Sequence, residues 1–222
     1  MLASPIMLLF LLVAVPLAYV TVVMLFEAHS LPTRITVIPV LKGMFSFAVI
    51  WAITAIFSGL YPLYYNPRAI FIHYLFDQTL FPDVLLVASF FLLSRGLWQE
   101  TKVDRFIGLL AFFAGYFTVA GVIDLFTKSY HYSDYRLFLV PAVRVTTMIL
   151  LPSAIVAFRE ERMFIRYVYL LAAIVGPIIG ATIAMLHTTN ALTHAYVLGI
   201  GFFVAGVVGA YAMVRLYLPV RL

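Results

Sequence analysis

Apolar residues occur along this chain in long runs that are separated by short polar stretches. About 20 such residues suffice for a helix to cross the roughly 30 Å hydrocarbon core of a bilayer. A spanning β-barrel would instead show short segments of alternating polarity. The pattern therefore predicts an all-α, polytopic integral membrane bundle. We predict seven transmembrane helices near residues 5–26, 39–61, 70–94, 104–126, 136–158, 163–185 and 191–216.

The polar connections between the apolar runs are short, so we expect a single transmembrane domain over residues 1–222. No Lys or Arg precedes the first run, and this run is longer than the apolar core of a signal peptide. We therefore interpret it as a retained span.

Composition supports the membrane assignment, because 65% of the residues are hydrophobic and only 10% are charged. Soluble domains carry roughly a quarter charged residues. The lipid bilayer is thus the first expected partner. The net charge of +5 does not indicate a nucleic-acid partner, because the basic residues are dispersed among the loops. The absence of cysteine excludes disulfides and thiolate metal sites.

The basic residues also predict the orientation, since cytoplasmic loops carry an excess of Lys and Arg. With the N-terminus outside and the C-terminus cytoplasmic, the outer side keeps only Arg68, Lys128 and Arg136. The prediction is a protein of the cytoplasmic (plasma) membrane, of prokaryotic type. The inner side then collects Arg34, Arg95, Lys102, Arg105, Arg159, Arg162, Arg166, Arg215 and Arg221.

Four charged residues are expected to be embedded in the membrane: Asp77 and Arg144 in the outer halves of their spans, Asp124 at the outer end of its span and Asp83 near the middle of the bilayer. Intramembrane charges usually face a bundle interior or a water-filled cavity, so we expect an outward-facing pocket that binds a solute or ion. Asp77 and Arg144 lie at similar depths. They are expected to form either a functional gate or an ion pair that fixes helix register.

Asp83 follows Asp77 by six residues, so an ideal helix would turn it away from the face of Asp77. Pro82 interrupts the backbone hydrogen bonding and can redirect the side chain. A carboxyl group near the middle of the bilayer can be carried protonated. Asp83 is therefore a candidate proton relay or cation site, or else a neutral acid bonded to a neighbouring carbonyl.

The histidines raise the possibility of a metal site. His73 and Asp77 are one helical turn apart, and with His187 and His194 they could supply three nitrogens and one oxygen. Such a set suits zinc, or less well copper. The sequence contains no HExxH motif, and histidines near helix ends also bond lipid headgroups or water. Zinc is thus the only cofactor suggested.

Small residues recur at every fourth position in the last two spans, which lets helix backbones approach closely. If the two stripes pack together, His187 and His194 meet over the turn at residues 188–190. If they do not, the second stripe can contact another copy of the chain or a partner membrane subunit. The first stripe is Ala172, Gly176, Gly180 and Ala184, and the second is Gly201, Ala205 and Gly209.

Three functions stay open at this stage. The first is a non-enzymatic membrane protein whose polar pocket binds a solute or ion for transport, conduction or sensing. The second is an outer-leaflet, metal-dependent membrane enzyme. The third is a membrane subunit of a larger complex. The intramembrane charges favour the first, because the sequence shows no catalytic motif.

Overall fold

The computed structural model describes residues 5–25, 32–57, 66–127, 135–160 and 163–217, and these residues are helical with no strand among them. Seven long helices run through the described ranges. They are α1 (Pro5–Leu25), α2 (Thr33–Phe57), α3 (Pro67–Leu93), α4 (Lys102–Thr127), α5 (Val140–Glu160), α6 (Met163–Thr188) and α7 (Leu192–Tyr217).

Within the described residues, six helices, α2 to α7, are long and apolar enough to cross a membrane. The apolar stretch Leu9–Leu25 of α1 is shorter. The all-helical fold is confirmed for the described residues, whereas the seventh span and the orientation stay predictions. Lys128, Arg162 and Arg221, on which the orientation partly depends, lie outside the described residues, as do the predicted span ends at 26 and 61.

The second predicted span starts too late, because α2 begins at Thr33 rather than at Pro39. Pro39 is buried inside the helix, where proline removes a single backbone donor. The first turn is instead closed by the Pro32 carbonyl, which accepts from the Ile35 amide at 2.9 Å.

Helices α4 and α5 form the centre of the bundle. Most of their side chains are buried, whereas large apolar side chains on the other helices, such as Phe45 and Phe164, are exposed. Helix α2 packs along α4, α1 packs against both central helices, and α6 and α7 pack against α5. The exposed apolar faces suit contact with lipid.

Two glycines allow α2 and α4 to touch backbone to backbone. A Cβ on Gly43 would overlap the carbonyl oxygen of Phe112 and lie 2.8 Å from its carbonyl carbon. A Cβ on Gly115 would overlap the carbonyl oxygen of Val40 in the same way and lie 2.9 Å from its carbonyl carbon. Only glycine fits at these two positions.

Helix α3 is irregular in its middle. Its α-helical ends, Pro67–His73 and Phe81–Leu93, are joined by a π-helical segment, Tyr74–Leu80. The Phe81 amide donates to the Phe76 carbonyl, five residues back, as the wider π-helix requires. Pro82 lacks an amide hydrogen and crowds the carbonyl four residues before it, which favours the widening. A second π-helical segment, Tyr135–Leu139, likewise ends shortly before a proline, Pro141.

The predicted turn between the last two helices is confirmed. Helix α6 ends at Thr188, and Asn190 adopts a left-handed conformation with φ 67°. The Ala191 amide donates to the Leu186 carbonyl at 2.8 Å, which is the bond expected where such a residue closes a helix.

Candidate functional site

One cavity of about 400 Å³ contains all four of the charged residues singled out from the sequence, namely Asp77, Asp83, Asp124 and Arg144. Its walls come from the second halves of α2 and α4, the middle of α3, the start of α5 and one position of α6. All of these belong to the end of the bundle where α2 and α4 finish and α5 begins. Asp77 and Arg144, which sequence analysis placed at similar depths, therefore share a single space with Asp83 and Asp124.

The predicted pairing within this group is wrong. Arg144 bonds to Asp124, with its Nη2 atom 2.5 Å from the Asp124 Oδ2 atom, and does not pair with Asp77. Helix α4 packs directly beside α5 and brings Asp124 to Arg144. Both side chains are mostly buried, at 18% and 17% exposed. The other terminal nitrogen of Arg144, Nη1, is buried without a hydrogen-bond partner.

Asp77 lies beside His73, its neighbour one turn earlier on α3. The His73 Nε2 atom is 3.9 Å from the Asp77 Oδ2 atom, and both side chains are largely buried. This contact is an ion pair only when the imidazole is protonated. A spacing of four residues places the two groups on one helix face, as the sequence predicted.

Asp83 lines the cavity together with Asp77, although a regular helix would direct the two side chains apart. The π-helical segment Tyr74–Leu80 carries Asp77, so the two aspartates are not related by the geometry of a regular α-helix. Among the described residues, none forms a hydrogen bond or an ion pair with the Asp83 carboxyl. Asp83 lies deep in the bundle, and only part of its surface is reached from the cavity.

Tyr116 is a cavity residue that sequence analysis missed. Its side chain lines the same cavity as Asp83, Asp124 and Arg144. The available signal was spacing: Tyr116, Ala120 and Asp124 recur every fourth residue and all three line the cavity. Tyrosine is so common in membrane helices that this spacing did not stand out.

Other aromatic and polar side chains complete the cavity wall. The aromatic rings of Phe47 and Tyr116 lie 5.4 Å apart between centroids, and those of Tyr116 and Phe117 lie 5.2 Å apart. Thr79 extends a hydroxyl to within 3.3 Å of the Pro177 carbonyl on α6. The remaining wall residues with aromatic or polar groups are Trp51, Thr54, Tyr74, Gln78 and Thr147.

The proposed metal ligands do not come together. Within the described residues, no three His, Cys, Asp or Glu side chains are grouped so that they could hold a metal ion. His73 and Asp77 form a close pair, whereas His194 is exposed on α7 and His187 is only partly buried at the end of α6. The set of His73, Asp77, His187 and His194 is therefore not assembled.

The two small-residue stripes do not pack against each other. On α6, Gly180 lies against Thr79 of α3 and Val143 of α5. On α7, Gly201 and Ala205 are exposed, and a Cβ on Gly201 would meet no atom within 4 Å. The buried face of α7 is a different one, consisting of Ala195, Gly199, Phe202 and Gly206.

The third member of the α7 stripe, Gly209, faces the protein rather than lipid. A Cβ there would lie 3.3 Å from the Leu150 side chain, and its carbonyl accepts a hydrogen bond from the Tyr169 hydroxyl at 3.0 Å. The stripe therefore marks where backbones can approach, but it does not identify the neighbour.

The cavity thus combines carboxylates, a guanidinium group, hydroxyls and aromatic rings at the end of a membrane bundle. Polar groups that converge in a space of this size can bind and orient a small solute. Comparisons of the chain with protein-family models, with curated proteins and with solved structures gave no match.

Proposed function

We propose that this protein binds a small solute or ion in its intramembrane polar cavity, for transport, conduction or sensing. The observation that carries the proposal is the convergence of Asp77, Asp83, Asp124 and Arg144 on one cavity. Placing ionisable groups inside a membrane costs free energy, so such groups usually serve a pathway or a binding site. Asp83, which has no bonding partner among the described residues, is the group most in need of a ligand.

The irregular backbone of α3 supports the same proposal. Interrupted helices occur at membrane depth where the backbone lines a cavity or is covered by protein. The segment Tyr74–Leu80 carries Asp77 and lines the cavity, and its Thr79 hydroxyl donates to the Pro177 carbonyl of α6. Single π-helical turns within α-helices are frequent at functional sites.

The proposed orientation places the cavity at the outer face. With the N-terminus outside, α2 and α4 end at the outer surface, so the cavity at that end opens outward. The Arg34–Glu100 pair, with 3.2 Å between Nη2 and Oε1, lies at the opposite end and is assigned to the cytoplasmic side. The proposed location is the cytoplasmic membrane of a prokaryote.

A second candidate function is that of a membrane subunit within a homo-oligomer or a larger complex. The exposure of Gly201 and Ala205 on α7 favours it, because small residues on an outer face allow close helix contact between chains. Binding in the cavity and assembly through α7 are compatible.

The proposed function is tested by thermal unfolding of the detergent-purified protein in the presence of a solute panel. The panel contains amino acids, organic cations, organic acids, sugars and the chlorides of sodium, potassium and magnesium. A ligand at 100 times its Kd stabilises the folded state by about 2.7 kcal/mol. We expect at least one solute to raise the Tm of the wild type.

The dependence on the cavity is established with matched variants. Asp77→Asn and Asp83→Asn should reduce the ligand-induced Tm shift, whereas Glu100→Gln, a carboxylate outside the cavity, should keep it. Each ligand found is then tested for flux in proteoliposomes, which separates transport from sensing. Stabilisation by no solute, or stabilisation that is equal in all variants, would refute the proposed function.

A further inference from the structure

The charges around the cavity do not balance. Three carboxyl groups and one guanidinium group line it, and the guanidinium of Arg144 is neutralised by Asp124 at 2.5 Å. The Arg144 Nη1 atom is buried and has no hydrogen-bond partner among the described residues, so the paired Nη2 atom is the one that meets a carboxylate. Asp77 and Asp83 remain, and they make the cavity attractive to a positive charge.

The arrangement does not suit a bare metal ion. Such an ion needs several ligands that converge at about 2 to 2.6 Å, and among the described residues no group of three His, Cys, Asp or Glu side chains converges in this way. The cavity volume of about 400 Å³ instead falls within the range of sites for organic ligands.

Aromatic side chains are the second feature of the cavity that can recognise a ligand. Phe47, Tyr116 and Phe117 form a continuous aromatic surface, with neighbouring ring centroids 5.4 and 5.2 Å apart, and Trp51 and Tyr74 extend it. Aromatic faces attract ammonium groups and also cover the apolar body of a ligand. The surface belongs mainly to α2 and α4, whereas Asp77 and Asp83 belong to α3.

We propose that the ligand of the cavity is a small organic cation, an ammonium compound with an apolar or aromatic body. Its charge is held by Asp83 and Asp77, and its body lies against Trp51, Tyr116 and Phe117. This inference rests on the proposed function, of which it specifies the ligand class. It predicts discrimination by charge among ligands of the same shape.

A matched series of four probes tests this discrimination. Phenylethylammonium, 2-phenylethanol, phenylacetate and phenylalanine share one aromatic body and differ in charge: cationic, neutral, anionic and zwitterionic. Binding to the detergent-purified protein is measured by isothermal titration calorimetry, with sodium and potassium chloride titrated separately. We expect phenylethylammonium to bind at least tenfold more tightly than each of the other three.

Variants locate the binding in the cavity. Asp83→Asn and Asp77→Asn should each weaken phenylethylammonium binding roughly tenfold, because a hydrogen bond to a charged group is lost. Trp51→Leu should weaken it several-fold, whereas Phe45→Leu, an exposed aromatic position on the same helix outside the cavity, should not. Glu100→Gln serves as the carboxylate control. Should one aspartate variant fail to fold, the other aspartate variant and Trp51→Leu still decide the result.

The outcomes separate the ligand class from the function. Tighter binding of phenylacetate, phenylalanine, 2-phenylethanol or an alkali cation, lost in the aspartate variants, would overturn the organic-cation inference and leave the proposed function standing. If no probe and no member of the wider panel binds in a manner that depends on Asp77 or Asp83, both the organic-cation inference and the proposed function are overturned.

Discussion

Alanine at Gly43 or Gly115 should separate the two most closely packed helices of the bundle, α2 and α4. The added methyl group would overlap a backbone carbonyl oxygen in each case, that of Phe112 or that of Val40. Backbone atoms of a packed helix cannot rotate away as a side chain can. The helices must therefore shift apart along much of their shared contact.

The expected cost follows from two opposing contributions. Overpacking of this kind costs typically about 1–3 kcal/mol and occasionally more. Replacing glycine by alanine inside a helix gains up to about 1 kcal/mol. Because the obstacle is backbone at both positions, we place the overpacking cost at the upper end and expect a net loss of about 2 kcal/mol. For a chain of this size, this loss lowers the Tm by roughly 4–8 °C.

The control is Gly201→Ala, which lies within a helix and meets no atom within 4 Å. It should leave the Tm unchanged or raise it slightly. The measurement is thermal unfolding in one detergent, followed by intrinsic fluorescence. The double variant Gly43→Ala/Gly115→Ala should lose less than the sum of the single variants, because one separation of the helices relieves both overlaps. If Gly43→Ala and Gly201→Ala melt at the same temperature, the close α2–α4 contact is refuted.

Two further predictions concern single bonds within the bundle. Asp124→Asn leaves the buried guanidinium of Arg144 without its counter-charge and should lower the free energy of unfolding by about 3–5 kcal/mol. In thermal unfolding, the double variant Asp124→Leu/Arg144→Met should recover most of this loss. A double variant as unstable as Asp124→Asn would contradict the Asp124–Arg144 ion pair. Tyr169→Phe removes the hydroxyl that donates to the Gly209 carbonyl at 3.0 Å. The variant should lose about 1 kcal/mol of unfolding free energy, measured as a Tm reduction of roughly 2–4 °C. An unchanged Tm would show that this hydrogen bond contributes nothing to the α6–α7 contact.

The sequence predicted the depth of the charged residues but not their partners. Depth follows from counting residues along an apolar run, so Asp77 and Arg144 could be assigned to similar depths, and both line one cavity together with Asp83 and Asp124. Pairing depends on which helices are neighbours and how each is rotated. The packing of α4 beside α5 and the π-helical turn in α3 decide both, and neither leaves a periodic signal.

The glycines show the same limit. The regular stripes on the last two helices attracted attention, yet Gly201 and Ala205 are exposed. The closest helix contact instead uses Gly43 and Gly115, neither of which belongs to a stripe of three or more small residues at four-residue spacing. A repeat identifies a smooth helix face, whereas the identity of the neighbour is a property of the three-dimensional packing.

The π-helical turn of α3 has a consequence for how the gene for such a protein can vary. A π-helical turn holds about one residue more than an α-helical turn, so deleting one residue of Tyr74–Leu80 could restore a regular α-helix and leave the helix on either side in its present direction. In a regular α-helix each residue turns the chain by about 100°, so a deletion between Tyr116 and Asp124 would rotate one of these side chains away from the cavity. Natural variants that retain the cavity are therefore expected to lose a residue within the π-helical segment of α3 more readily than within α4.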